Sequence, residues 1–350
     1  MSSAHNLHKA RFLGAVTTPI ILIALLFVGA MLVYLLGDRG LQRTAAEALI
    51  YVTLVVGFWI FVGNSGVISF AHAAFALIGA YVSGWLTLRP MMKGTLLEGL
   101  PQFLLDAEWH VLPAALVGGV AAMLLAAISG AAILRLSGIA ASIASFAFLA
   151  MINTIWSNWS DVTGGASTVA GLPRYVDMWV ALAWAAVAII AAAAYSLSGS
   201  GLALRASRED EVAAQASAVD QYRHRLLAYT ISAFFCGVAG ALFAHFLGIL
   251  NVDSFYLPMT FLMLAMLVVG GIGSLSGAVV GVIAISIAVE ILKEMEQGVT
   301  MFEHDIALPA GSKEVLIGII MILIFMFRPS GLLAGKDIKP SAKWLAKFTR

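Results

Sequence analysis

Uncharged, mostly apolar stretches recur along this chain at lengths that ordinary core helices do not reach, and residues 20–36 are the clearest case. Inside a bilayer every backbone N–H and C=O must be satisfied within its own segment. An apolar run of about 20 residues therefore reads as a membrane-spanning helix. By that ruler spans are expected near 12–36, 44–63, 66–88, 111–134, 138–157, 176–197 and 226–247, with three shorter ones near 258–270, 277–292 and 315–327. Composition agrees: 61% of the 350 residues are hydrophobic and 11% charged, less than half of the roughly 25% charge that coats a soluble globule. The expected fold is all-α, a polytopic transmembrane helical bundle of about ten spans forming a single domain over 1–350.

Net charge is +1, so no global field points to nucleic acid. A single cysteine, Cys236, excludes disulfides and CxxC metal sites by counting. His5, His8, Lys9 and Arg11 resemble a signal-peptide start, but the apolar stretch behind them runs to Leu36 without an Ala-x-Ala cleavage site, so an uncleaved first span is expected. Ten spans put both termini on one side. If that side is cytoplasmic, the inner segments hold 13 basic residues and the outer ones 7, as the positive-inside rule requires. The acidic residues lean outward, with five between Lys293 and Glu314.

Two glycine-rich inner turns, 62–66 and 270–274, interrupt short apolar segments. Broken backbone at membrane depth is tolerated where protein or water covers it, which marks a transporter's substrate route; glycines also simply let helices pack closely. Both readings stay open here. The one long polar inner segment is 198–225. From Ser207 it reads as a short helix, with Ser207 as N-cap, Glu209, Asp210 and Glu211 in the first turn, and the small residues Ala213, Ala214 and Ala216 after them. Such a helix either docks in another protein's groove or is a solvated connection.

Five stretches then carry a resemblance. They are Gly201-Leu202-Ala203-Leu204-Arg205-Ala206 with Arg208-Glu209-Asp210-Glu211-Val212-Ala213-Ala214; Asn64-Ser65-Gly66 with Ser69-Phe70-Ala71-His72; Leu134-Arg135-Leu136-Ser137-Gly138 with Thr163-Gly164-Gly165; Gly270-Gly271-Ile272-Gly273-Ser274; and Arg328-Pro329-Ser330-Gly331-Leu332-Leu333. In order and at these spacings the chain resembles LivM-type permeases of the branched-chain amino-acid family of ATP-binding-cassette importers. The resemblance implies a transport subunit of a bacterial inner membrane, without cofactor or covalent chemistry, that carries branched-chain amino acids or a related small polar solute. It implies as partners a second related permease, two cytoplasmic ATPases and a periplasmic solute-binding protein. The helix from about Glu209 to Val219 would be the coupling helix, with Arg208, Glu209, Asp210, Glu211 and Ala214 meeting an ATPase. Thr163, Gly164 and Gly165 would lie along the substrate pathway. Two departures stand out. The family usually has Gly where this chain has Ala218, a position that wants positive φ, at a cost of about 1 kcal/mol for Ala. Ala166-Ser167-Thr168 also replaces the Pro or Ser, Asn and Gly that often follow Thr-Gly-Gly.

The span interiors say something independent. Glu47, Glu290, His72 and His245 are ionisable there, the two carboxylates near outer ends, and no charged group sits at a span centre. A secondary transporter needs such a group for its coupling ion. The GxxxxGK[ST] phosphate loop is missing as well, so ATP hydrolysis by that route falls to other chains. Asn64, Ser65, Ser69 and His72 cluster after the first inner turn, and the i, i+4, i+7 spacing of Ser65, Ser69 and His72 predicts one shared helix face. These neutral groups either line the substrate pathway or hydrogen-bond neighbouring helices, as do Ser142, Ser145 and Asn153. His245 is expected at the interface. A rival from another class, the Ser–His dyad of rhomboid proteases, fits Gly63-Asn64-Ser65-Gly66 and Ala244-His245-Phe246-Leu247-Gly248, but the span order separates Ser65 from His245 by about 30 Å.

Overall fold

The computed structural model describes residues 2–136, 138–297, 299–301, 304–306, 312–328 and 330–338. The end of the 328–350 tail, Ser137 and Pro329 lie outside the described residues. Ten long helices run back and forth: α1 (Ser2–Leu36), α2 (Arg39–Ser65), α3 (His72–Thr87), α6 (Val111–Ile133), α7 (Gly138–Asn158), α9 (Met178–Leu197), α12 (Gln221–Leu247), α13 (Leu257–Gly270), α14 (Leu275–Gln297) and α15 (Ser312–Phe327). Short helices decorate the connections: α4 (Pro90–Leu96), α5 (Gln102–Leu105), α8 (Ser160–Thr163), α10 (Gly199–Glu209) and α11 (Glu211–Ala216). Two-residue strands β1 (Val169–Ala170) and β2 (Ile249–Leu250) pair antiparallel, as do β3 (Val299–Met301) and β4 (His304–Ile306).

Among the described residues eight apolar helical stretches reach 18 residues or more, α13 only together with the helical turn Asp253–Phe255 that precedes its 14 residues. The two passes below that length, α3 and α15, have 16 residues each, about 24 Å of helix. The expected span over 66–88 is therefore broken: residues 66–71 are irregular and the helix starts only at His72. Thr18, near the start of the first pass, donates its hydroxyl to the carbonyl of Ile338, beyond the last, at 3.1 Å. An even number of passes returns the chain to the end where it began.

The centre of the bundle is α2. It is apolar all round, with Val55, Val56, Phe58, Ile60 and Phe61 wholly buried, because α9, α12, α13 and α14 surround it. Apolar surface gains nothing by leaving lipid for protein, so van der Waals contact between closely packed backbones has to hold such helices together. Alpha-3, α6 and α12 meet this way: a Cβ on Gly79 would overlap the backbone of Gly237, and one on Gly118 would come within 2.5 Å of the Gly79 carbonyl oxygen. Polar clips lie between these contacts. The Ser232 hydroxyl donates to the Gly57 carbonyl at 2.7 Å, and the Trp59 indole to that of Ile272 at 2.8 Å.

At the end of the bundle opposite the Thr18–Ile338 contact, the buried Lys93 ammonium donates to the carbonyls of Trp85, Leu104 and Ala107 at 3.0, 2.5 and 2.5 Å, closing α4 and α5 over the end of α3. Back at the Thr18 end, residues 330–338 lie across the turn between α13 and α14. Leu332 N–H donates to Val269 O, and Ser276 N–H to the Asp337 carboxylate at 3.2 Å. That carboxylate complements the N-terminal dipole of α14.

Candidate functional site

The segment between the sixth and seventh passes is built as two short helices with a hinge. Ser198 caps α10: its Oγ accepts from Gly201 N–H at 3.1 Å and donates to the Tyr195 carbonyl at 2.6 Å. Gly201, Leu204 and Ser207 form the buried stripe of α10. The Ser200 hydroxyl meets both Tyr195 Oη (3.1 Å) and His224 Nδ1 (3.0 Å), tying α10 to the ends of α9 and α12. Arg205 donates to the Ser196 carbonyl; burial pulls its guanidinium pKa down, and the nearby Asp337 carboxylate opposes that shift.

Ser207 is not the cap that its spacing suggested. It lies inside α10 with its hydroxyl donating to Ala203 O at 2.9 Å. The break falls at Asp210, whose extended backbone ends α10 and whose carboxylate accepts from Ala213 N–H at 2.9 Å to start α11. Where one helix was expected over 209–219, the structure has only the six residues of α11. It closes with Val219 N–H on Ala214 O and Ala218 N–H on Gln215 O, with Ala218 at φ +59. This is the bond pattern of a Schellman end with alanine at the left-handed position where glycine is usual.

The five residues expected to meet an ATPase divide between two directions. Glu209, Asp210 and the neighbouring Val212, 77% exposed, face away from the bundle. Ala214 is buried against the permease, and Glu211 turns back to Arg225 at 3.8 Å while its carbonyl accepts from Gln221. Arg208 reaches inward as well, donating to the Gly63 carbonyl at the end of α2 at 2.7 Å. For Ala214 the expected outward contact is corrected: helical periodicity fixes a residue's face only when the helix boundary is known, and the break at Asp210 resets it; Arg208 stays exposed while its guanidinium bonds the Gly63 carbonyl.

The turn after α2 lies beside this segment. Gly66, at φ +71, donates its N–H to Val62 O and ends α2. A continuous face through Ser65, Ser69 and His72 is therefore corrected: the three lie on the last turn of α2, the irregular linker and the first turn of α3. Ser65 Oγ accepts from Val67 N–H at 3.1 Å, and Ser69 Oγ meets His72 Nδ1 at 3.1 Å. Asn64 donates to Ile60 O at 2.9 Å. His72 is fully buried in a cage of Phe58, Phe61, Phe75 and Tyr229, with ring centroids 4.8–5.7 Å away. Two serines of α7 hold the linker: Ser142 donates to Ile68 O at 2.7 Å, and Phe70 N–H donates to Ser145 Oγ at 3.0 Å.

Thr163, Gly164 and Gly165 lie at the opposite end and are not brought to this cluster. The buried Thr163 hydroxyl donates to Trp156 O and Trp159 O at 2.6 and 2.8 Å, and Gly164 and Gly165 follow at φ +78 and +63, a turn that caps the end of α7 and α8. His245 is also corrected. It is buried rather than interfacial, with Nε2 on the Thr87 hydroxyl (2.9 Å) and Nδ1 on Ala241 O (2.7 Å), both ring nitrogens engaged away from Ser65.

Antiparallel passes around a buried α2, a broken third pass and a capped helix pair between the sixth and seventh define a multi-pass helical membrane protein of the transporter kind. Residues 40–325 match the family described as branched-chain amino acid transport system / permease component, and the chain belongs to that family. It is 25% identical to the high-affinity branched-chain amino acid transport system permease protein LivM of Salmonella typhimurium over 355 aligned positions, covering 91% of this chain and 76% of that protein; the Escherichia coli LivM gives the same figures. It is 26% identical to the permease protein LivH of Escherichia coli, over 83% of this chain and 92% of that protein. No solved structure matches the chain.

Proposed function

We propose that the chain is the membrane-spanning permease subunit of an ATP-driven importer for branched-chain amino acids or a related small polar solute, working by alternating access. It forms a single transmembrane domain in a bacterial inner membrane, with both termini, the 198–225 coupling loop and the basic 328–350 tail in the cytoplasm. Its partners are a second related permease, two ATPase subunits and a periplasmic solute-binding protein; ATP is hydrolysed on the ATPases and this chain performs no covalent chemistry.

The observation that carries the reading is the geometry of α10 and α11. A short helix capped at both ends projects Glu209, Asp210 and Val212 from the bundle, while its inner side is bonded to α2 and α12. A polar loop that merely joined two spans would need no such anchoring. Supporting it, α7 leaves Ile139 and Ile143 80% and 64% exposed on a helix lightly packed in its own subunit, a face for the second permease. Asn64, Ser65, Ser69 and His72 then act by shaping the broken third pass beside the pathway, and Thr163, Gly164 and Gly165 by shaping its outer mouth.

Affinity purification of the tagged chain from its native membrane tests this. Two ATPases and a second permease are expected to co-purify in stoichiometric amounts. Recovery of the chain alone, still able to move solute in liposomes without ATP, would establish a secondary transporter instead.

A further inference from the structure

We propose that Arg208 is a positioning residue that transmits movement of the coupling helix to the broken backbone after α2, a role resting on the reading of α10 and α11 as the coupling segment. Four observations on the same side chain carry it. Its guanidinium donates to the Gly63 carbonyl at 2.7 Å. That carbonyl lies in the last turn of α2, among the four that a helix leaves without an internal partner, where a cation also complements the dipole. The methylenes of Arg208 run over Gly66: a Cβ built there would meet Cγ at 2.7 Å and Cδ at 2.9 Å. The φ of +71 and the closeness of the arginine stem thus make the same demand for glycine at position 66. Finally, Arg208 sits two residues before the helix break at Asp210, with the Glu209 carboxylate at 3.7 Å, so it lies next to the joint between α10 and α11.

The linker beyond Gly66 is the one segment of the third pass without helical hydrogen bonds of its own, held by Ser142 and Ser145 of α7. Short, directional contacts on both sides of a helix break are what a lever needs, because packed helices move as rigid bodies and flexure collects at the break. Arginine suits the task better than lysine, since its planar fork holds a carbonyl in fixed geometry while the stem packs. Arg208 therefore acts on the pathway through Gly63 and Gly66.

The test uses the full complex in inside-out vesicles, in a C236S background with V67C as a reporter in the linker. A membrane-impermeant maleimide reads the linker's accessibility with and without trapped ATP. With Arg208 present, nucleotide is expected to change the V67C labelling rate about tenfold. R208M, which keeps the stem and removes the donor, is expected to shrink that change below twofold while ATPase co-purification and ATP hydrolysis stay within twofold. R208K is expected to recover part of the change. Should R208M not insert, R208Q carries the same readout. A full nucleotide response in R208M overturns the proposal, as does loss of the ATPases from the R208M complex, which would make Arg208 an ATPase contact. If the unsubstituted chain recruits no ATPase at all, the importer reading itself has failed.

Discussion

Ala218 holds φ +59 at the end of α11, where a Cβ crowds the following carbonyl. A218G should relieve that strain and stabilise the protein by about 0.5–1 kcal/mol, the entropy of glycine in the unfolded chain offsetting part of the gain. A rise of the melting temperature in detergent, with unchanged ATPase recovery, is the expected result; a fall would mean that the helix end does not need a left-handed residue. At the other extreme of burial, S232A removes the clip from α12 to the Gly57 carbonyl and should cost about 0.6–2 kcal/mol, the range for interhelical hydrogen bonds in membranes. The left-handed demand at 218 was legible from the resemblance, which places a helix end there. The direction of Arg208 was not. Nothing in Arg-Glu-Asp-Glu tells which charges turn outward, since that depends on where α10 breaks, and Asp210 is as good a cap as Ser207 on residue type alone. His72 and His245 were legible as polar groups inside spans; the partner of His72, Ser69, is local, three residues before it, but the partner of His245, Thr87, is set by packing across helices.

Alpha-11 is the element whose chemistry separates coupling from support. E209K alters an exposed side chain and, on the proposed docking, should weaken ATPase recovery while leaving the chain inserted, and V212D should do so more strongly, because it replaces an exposed apolar side chain by a charge. E211K differs: it sets a lysine against Arg225 within the permease, so it should lower thermal stability in the free subunit. Comparing free-subunit melting with ATPase recovery for the three variants checks the division; equal effects on both measures in all three would erase it. Alpha-4 and α5 make the parallel case at the far end. K93M leaves three carbonyls that the ammonium now binds without their donor and should destabilise that cap by about 1–3 kcal/mol, read as faster proteolysis within 90–107. No sequence signal announced this lysine as buried, for it looks like any other charge in a polar loop.

For the whole molecule the legible part was the all-α polytopic class and the order of its long apolar helices, because about 20 apolar residues per crossing is a demand of the bilayer itself. What the ruler cannot see is a pass that starts late. Residues 66–71 are apolar enough to extend the third span, yet Gly66 and the bonds from α7 keep them out of the helix. Nor does hydropathy say which passes are central, and burial of α2 on every side depends on how its neighbours assemble. The glycine contacts pack α3, α6 and α12 backbone to backbone, and the breaks in regular structure lie at the ends: the linker after α2, the break at Asp210 and residues 330–338 over the turn between α13 and α14. That arrangement suits a subunit driven from outside itself. The most direct test is solute uptake into proteoliposomes holding the chain with its co-purified subunits and solute-binding protein, against liposomes holding the chain alone. Uptake that requires ATP and the complete assembly, with none from the chain alone, is the predicted result; equal ATP-independent uptake by the isolated chain would contradict the account.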